Sequence, residues 1–263
     1  MHVVVCVKQV PDTANVRINP ETNTLMREGV ESIMNPFDEY ALEEALNLKD
    51  AHGARVTVVT MGPPQADAIL RDAMARGADE AILLTDRAVA GADTLATSYI
   101  LSLAIKKLNE KPDLVLFGKQ AIDGDTAQVG PGVSEFLNYP LVTYVKSLSV
   151  RDGVFTVETL MDEGTDVIEG KLPAVMTVVK EASTPRFGSL GGWIDAKEAE
   201  IPAWGAKDVD ADVARCGLDG SPTKVVKIFA PPTRSGGKRM DGREAPSDAV
   251  DAIMELLHEK GVR

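Results

Sequence analysis

The residues best suited to chemistry lie between Asp113 and Gly130, in the stretch DLVLFGKQAIDGDTAQVG. Leu114 to Phe117 form a short continuous apolar run that Gly118 ends. Small and hydrogen-bonding residues follow: Gln120, Asp123, Gly124, Asp125, Thr126, Ala127 and Gln128. Val129 and Phe136 then restore apolar spacing, so the pattern reads as strand, tight loop, helix entrance, with Gly130 at the entrance itself. Where the carboxyl end of a parallel strand faces a helix N-terminus, unpaired N–H groups and the positive end of the helix dipole point at an anion, and the expected ligand is a nucleotide. Gly118 and Gly124 permit close approach or a positive φ, while Asp123, Asp125, Thr126 and Gln128 offer groups for ribose hydroxyls or ring edges. The plainer alternative makes Gly118 a strand-end turn and Asp125 or Thr126 an N-cap. Asp123 and Asp125 make a weak cation site, because no third ligand is in sight.

Other chemistries find little support. His2, His52 and His258 are scattered singly, and Cys6 and Cys216 are far apart, so neither a histidine-based triad nor a zinc cage nor a disulfide framework is expected. Ser235-Gly236-Gly237-Lys238 resembles a phosphate-binding loop, but Pro232 stands where its first glycine belongs. No G-x-G-x-x-G follows a strand. The net charge of −12 repels nucleic acid and anionic membranes, and no apolar run approaches a membrane span of about 18 residues. The start, MHVVVCVKQV, reaches Lys8 quickly and shows no small-residue cleavage site, so a cytoplasmic protein without membrane insertion is expected.

The elements that must position the loop follow from periodicity. His2 to Val7, Arg55 to Met61 and Glu80 to Thr85 read as strands, and Leu114 to Phe117 as a fourth. Between them lie helices. One starts at Asn35-Pro36 with Asp38 and Glu39 in its first turn, and buries Ala41, Leu42, Ala45, Leu46 and Leu48. A second follows Gly62-Pro63-Pro64 and ends at Gly77; a third, Leu95 to Leu108, follows a cap at Asp93 or Thr94. Strand–helix alternation predicts an α/β fold, a doubly wound, mostly parallel sheet. A small ribbon is expected between Val16 and Arg27. Ser147 to Val150, Val154 to Leu160, Asp166 to Glu169 and Ala174 to Val179 read as added, partly antiparallel strands. Glu181 to Pro222, rich in Gly, Pro and charge, reads as an extended arm. A strand-like run at Val225–Phe229, a basic loop at Arg234–Arg239, and a C-terminal helix capped by Ser247 with Val250, Ile253, Met254 and Leu257 on one face complete the chain.

Together, VVVCVKQVPDT, MNPFDEYALEEAL, VTVVTMGPP, GKQAIDGDTAQVGP, LMDEGTDVIEGKLPAVMTVVK and TPRFGSL resemble the β subunit of electron transfer flavoproteins. The match covers nearly the whole chain. The resemblance implies an adenine-nucleotide-binding core at residues 1–185 and a region at 186–263 made of a partner-docking loop, arm and C-terminal helix that packs on an α subunit carrying FAD. It assigns the nucleotide pocket to Cys6, Asn35, Pro36, Phe37, Asp38, Met61 with Gly62, and the loop Gly118–Gly130. Leu190 matches the leucine that anchors partner dehydrogenases, although GGWIDAKEAE follows where many members carry a lysine-rich run.

GADTLATS and IDGDTAQVGP are more similar to electron-bifurcating members than to AMP-binding ones. In the former, the β pocket holds a second FAD that accepts a hydride from NADH. Its two electrons then go separately to a high-potential acceptor and to a low-potential one such as ferredoxin or flavodoxin, so that the implied function is to pass electrons between NADH or an acyl-CoA-type dehydrogenase and other redox partners. Asp93, Thr94, Ala96 and Thr97 are then the candidates for flavin contacts, with a helix cap and first-turn packing as the plainer alternative. No catalytic acid, base or nucleophile from this chain is needed, because the flavin carries the redox chemistry. The alternative function is a non-bifurcating carrier subunit holding structural AMP. Fold analogy alone also allows an ATP-using enzyme, but only Lys8 and Lys119 are near the inferred pocket to clamp phosphates.

Overall fold

This computed structural model describes residues 1–12, 32–226 and 239–262, with the backbone of two short strands at 17–18 and 25–26. In chain order the elements are β1 (His2–Cys6), β2 (Gln9–Pro11), β3 (Arg17–Ile18), β4 (Leu25–Met26), β5 (Ser32–Met34), α1 (Pro36–His52), β6 (Arg55–Met61) and α2 (Asp67–Arg76). Then come β7 (Glu80–Leu84), α3 (Thr94–Lys107), β8 (Leu114–Gly118), α4 (Val129–Leu137), β9 (Leu141–Arg151), β10 (Val154–Met161), β11 (Gly164–Lys171), β12 (Ala174–Val178), α5 (Leu190–Glu198), β13 (Ala203–Trp204) and α6 (Pro246–Glu259). The strand expected at Val225–Phe229 and the basic loop at Arg234–Arg239 lie mostly outside the described residues.

Among the described residues the main sheet runs β11-β10-β9-β12-β8-β1-β6-β7-β13. It is parallel from β9 to β13 and antiparallel across β9, β10 and β11. All five residues of β1 and of β8 are buried, as a strand covered on both faces requires. Alternation divides the core in two. Val3, Val5, Val58, Leu114, Leu116 and Met176 face the side of α1 and α2. Val4, Val59, Val115, Phe117 and Val175 face that of α3 and α4. The β9–β10 turn is a tight hairpin in which Asp152 (φ 52°) and Gly153 (φ 76°) both enter the left-handed region. β3 and β4 pair antiparallel, as the expected ribbon does.

The segment after Glu181 departs from the expected arm. Met1–Val225 form one compact unit and Val226–Arg263 another, so the units divide at residue 225 rather than at 185. Residues 186–225 are fastened to the core at several points. Arg186 reaches Glu43 and Asp50 at 2.9 Å each. The Arg71 guanidinium donates to the carbonyls of Ala196, Lys197 and Ala199, at the end of α5. β13 extends the sheet beside β7, with the N–H of Leu83 and Thr85 donating to Pro202 and Trp204. In the second unit, α6 starts at Pro246 with no side-chain cap, so Ser247 is a helical residue rather than the cap. Val250, Ile253, Met254 and Leu257 are all exposed along it.

Candidate functional site

β1 and β8 are neighbours, yet the chain leaves β1 towards α1 and β8 towards α4, on opposite faces of the sheet. Such a divergence opens a crevice beyond the carboxyl ends of the strands, where doubly wound sheets bind ligands. A cavity of about 1070 Å3 fills it. Cys6, Met61, Gly62 and Phe117 line it from the strand ends. The loop from Gly118 to Gly130 forms one side, and the approach to α3, through Asp93, Thr94 and Thr97, forms the other.

The β1–β8 side is held by two buried polar residues from the start of α1. Asp38 accepts the N–H of Lys8 at 2.7 Å on one carboxylate oxygen and that of Gly118 at 3.1 Å on the other, joining the two diverging strand ends. Asn35 is fully buried; its side-chain amide donates to the Gln120 carbonyl at 2.9 Å and accepts from the Ile122 N–H at 3.1 Å. It stands at the N-cap position of α1, as expected, but its side chain makes no cap bond and instead pins the loop across the crevice. Gly118 has to be glycine, because a Cβ there would collide with the Asp38 carboxylate and with the backbone of Phe37 and Asp38. Gly130 packs the first turn of α4 against Thr177, 2.8 Å from where its Cβ would stand. The loop itself carries strain, since Asp125 (φ 55°) and Ala127 (φ 54°) both adopt left-handed backbone, and Gln120 bonds the Asp125 carboxylate. Across its mouth Lys8 Nζ meets Asp123 at 2.6 Å.

Burial pushes the Asp38 pKa up to about 7, against Asn35 and the N–H groups of Lys8 and Gly118, which favour the carboxylate. Burial, reinforced by Asp38, pushes the Cys6 thiol up as well, so it stays protonated and serves as wall rather than nucleophile. On the α3 side, Asp93 caps the helix, accepting the N–H groups of Leu95 and Ala96. Burial alone would raise its pKa; the donors at Ala96, Thr223 and Leu95 outweigh that and hold it below the ordinary value.

Most of the residues singled out in the sequence thus meet around one cavity. Asn35, Pro36, Phe37, Ala96, Asp123 and Asp125 do not line the cavity, Asn35 and Ala96 being buried. Among the described residues no group of three or more His, Cys, Asp or Glu side chains could hold a metal. The lining residues that the sequence reading did not assign to the site include Asp86, Arg87, Val89, Ala90, Thr223 and Val225. Arg87 follows β7 as Lys8 follows β1, so the strand-end rule applied evenly would have found it. Nothing local marks Thr223 or Val225. Leu190, at the start of α5, is 82% exposed beside Phe187 at 93%. No helix among the described residues is long and apolar enough to cross a membrane.

Comparison with known proteins places this geometry in a family. The electron transfer flavoprotein domain matches residues 22–209. The chain is 48% identical over 263 residues to the caffeyl-CoA reductase–Etf complex subunit CarD of Acetobacterium woodii, covering all of both proteins. It is 51% identical over 257 residues to the electron transfer flavoprotein subunit beta of Clostridium acetobutylicum, covering 97% of this chain and 98% of that one. It is 50% identical over 241 residues to protein FixA of Sinorhizobium fredii, covering 89% of this chain and 85% of that one. The chain therefore belongs to the β-subunit family of electron transfer flavoproteins, nucleotide-associated proteins of electron transfer.

Proposed function

We propose that this chain pairs with an electron transfer flavoprotein α subunit in the cytoplasm. In this reading its cavity holds FAD, at which electrons from NADH are divided between a high- and a low-potential acceptor. The observation that carries this reading is the size and reach of the cavity. Sites for drug-sized ligands run to about 1,000 Å3, and at about 1070 Å3 this one extends from the entrance of α4 to that of α3. A dinucleotide fills such a span, whereas AMP needs only the part beside the Gly118–Gly130 loop.

When bound, the flavin supplies the redox chemistry, accepting hydride and releasing single electrons. The chain's residues bind and orient. The first turn of α4, which has no side-chain cap, presents N–H groups and a positive dipole end at the cavity, whereas the first turn of α3 is already capped by Asp93. Lys8, Arg87 and Lys119 add positive charge around phosphate oxygens. Gln128, Thr126, Thr94 and Thr97 offer hydrogen bonds to ribose and ring edges, and Cys6, Met61 and Phe117 supply apolar contact that excludes water.

The similarity to a subunit of a caffeyl-CoA reductase–Etf complex supports an acyl-CoA-type dehydrogenase as one partner. A ferredoxin or flavodoxin fits as the low-potential acceptor. Leu190 and Phe187 form the proposed docking point for the dehydrogenase, and the apolar stripe of α6 is assigned to the α subunit. Anaerobic titration of the heterodimer with NADH tests the redox claim. Bleaching of both flavins is expected, and flavin that stays oxidised would leave a redox-silent subunit with structural AMP. Leu190→Ala is expected to slow electron transfer with the dehydrogenase about tenfold without changing nucleotide content; transfer at the original rate would remove the docking assignment.

A further inference from the structure

The α3 side of the cavity is completed by a segment distant in sequence. After the short helical turn Val213–Arg215 the chain returns to the α3 entrance, where Leu218 donates its N–H to the Ala90 carbonyl at 3.1 Å. The approach is close. Gly217 takes φ 57°, and a Cβ there would collide with the Ala88 carbonyl. Ser221 Oγ accepts the Asp93 N–H at 2.8 Å and donates to the Gly217 carbonyl at 2.6 Å. Thr223 then gives both its N–H, at 3.0 Å, and its hydroxyl, at 2.8 Å, to one oxygen of the Asp93 carboxylate. The other oxygen accepts Leu95 and Ala96, at 3.0 and 3.1 Å.

A carboxylate has about four acceptor sites, and four protein donors occupy those of Asp93. Nothing is left over for a ligand. Yet the residues it holds, Thr94 on one side and Thr223 with Val225 on the other, all line the cavity. Val225 is 78% exposed, an apolar side chain that the described residues leave mostly uncovered. We infer that Thr223 and Val225 contact the bound nucleotide as a strap over the α3 half of the cavity, and that Asp93 is a positioning residue locking strap and helix entrance together. The inference rests on the reading of the cavity as an FAD site. It replaces direct flavin contact by Asp93 with an indirect role. One carboxylate fixes both edges of the slot before the ligand arrives, so less ordering is needed on binding. A ring system seated in the slot covers Val225, gaining apolar burial that AMP, beside the opposite loop, does not reach.

The test uses the purified α–β complex and the variants Val225→Trp, Thr223→Val and Thr223→Ser. FAD and AMP content, the rate of FAD release, AMP affinity and circular dichroism are measured on each. Val225→Trp fills the slot and is expected to take the complex from two FAD to one with the fold and AMP affinity intact. Thr223→Val is expected to release FAD about tenfold faster, the equivalent of one hydrogen bond. Thr223→Ser, which keeps the hydroxyl that bonds Asp93, is expected to restore the original rate, with AMP affinity and circular dichroism unchanged in both variants, a pattern that a general loss of structure would not give. Wild-type FAD content and release rates in both Val225→Trp and Thr223→Val overturn the strap alone. AMP in place of a second FAD in the wild-type complex overturns the FAD reading and, with it, the strap's assignment.

Discussion

On the β1–β8 side of the cavity, the fastening groups are buried and act at the start of one helix: Asp38 and Asn35 bond the strand ends and loop that flank them. On the α3 side, Asp93 is only partly buried and bonds Ser221 and Thr223, which are 128 and 130 positions away. Buried, fully satisfied groups in a close-packed setting resist displacement, because each lost partner leaves a desolvated charge or amide behind. Partly exposed groups can exchange their partners for water. The first wall is therefore a fixed frame for the nucleotide, and the second is where ligand size and retention can be adjusted without rebuilding the sheet.

Gly118→Ala breaks the comparison most severely. Its Cβ would collide with backbone of α1, which cannot yield as a flexible side chain can, so a loss of about 3 kcal/mol in urea unfolding is expected, with loss of nucleotide. Gly124 lies in the same loop with open space around it. Gly124→Ala is expected to change stability by less than about 0.5 kcal/mol, and equal effects of the two substitutions would dissolve the idea of a fixed frame.

The two aspartates also titrate in opposite senses. Asp38 is raised from 3.8 to about 7, so the folded state holds its proton more tightly than the unfolded chain does. Its contribution is fully present below about pH 4 and is lost as pH rises through about 7, on the order of 4 kcal/mol in all. Asp38→Asn cannot titrate and is expected to flatten the fall in unfolding free energy between about pH 4 and about pH 8; an unchanged slope would mean that the carboxyl is not the group involved. Asp93 is held below its ordinary value, so its contribution is present above that value and is lost as pH falls through the lowered one. A small effect is also expected at the rim. Lys8 and Asp123 are 47% and 31% exposed, so Lys8→Ala should cost less than about 1 kcal/mol and lose even that at high salt.

The fixed wall was legible in the sequence, whereas of the adjustable one only the α3 entrance with its Asp93 cap was. Five-residue apolar runs such as Val3 to Val7 declare strands buried on both faces, and Gly118 followed by small polar residues declares a loop where backbone must approach closely. Asn35 was recognisable by type and position. Its partners were not, because a side chain able to cap its own helix can equally bond a loop 85 residues on. β13 carries no periodic signal: two residues join the sheet through backbone bonds to β7, inside a stretch whose glycine, proline and charge imitate an arm. Thr223 and Val225 reach the cavity only because the chain returns to Asp93, a long-range closure that leaves no mark on local composition.

The central claim is that both walls together hold a dinucleotide. The most direct measurement is to purify the chain with its α-type partner, denature the complex and quantify the released nucleotides by chromatography. Two FAD per heterodimer and no AMP is the expected result; one FAD with one AMP would contradict it.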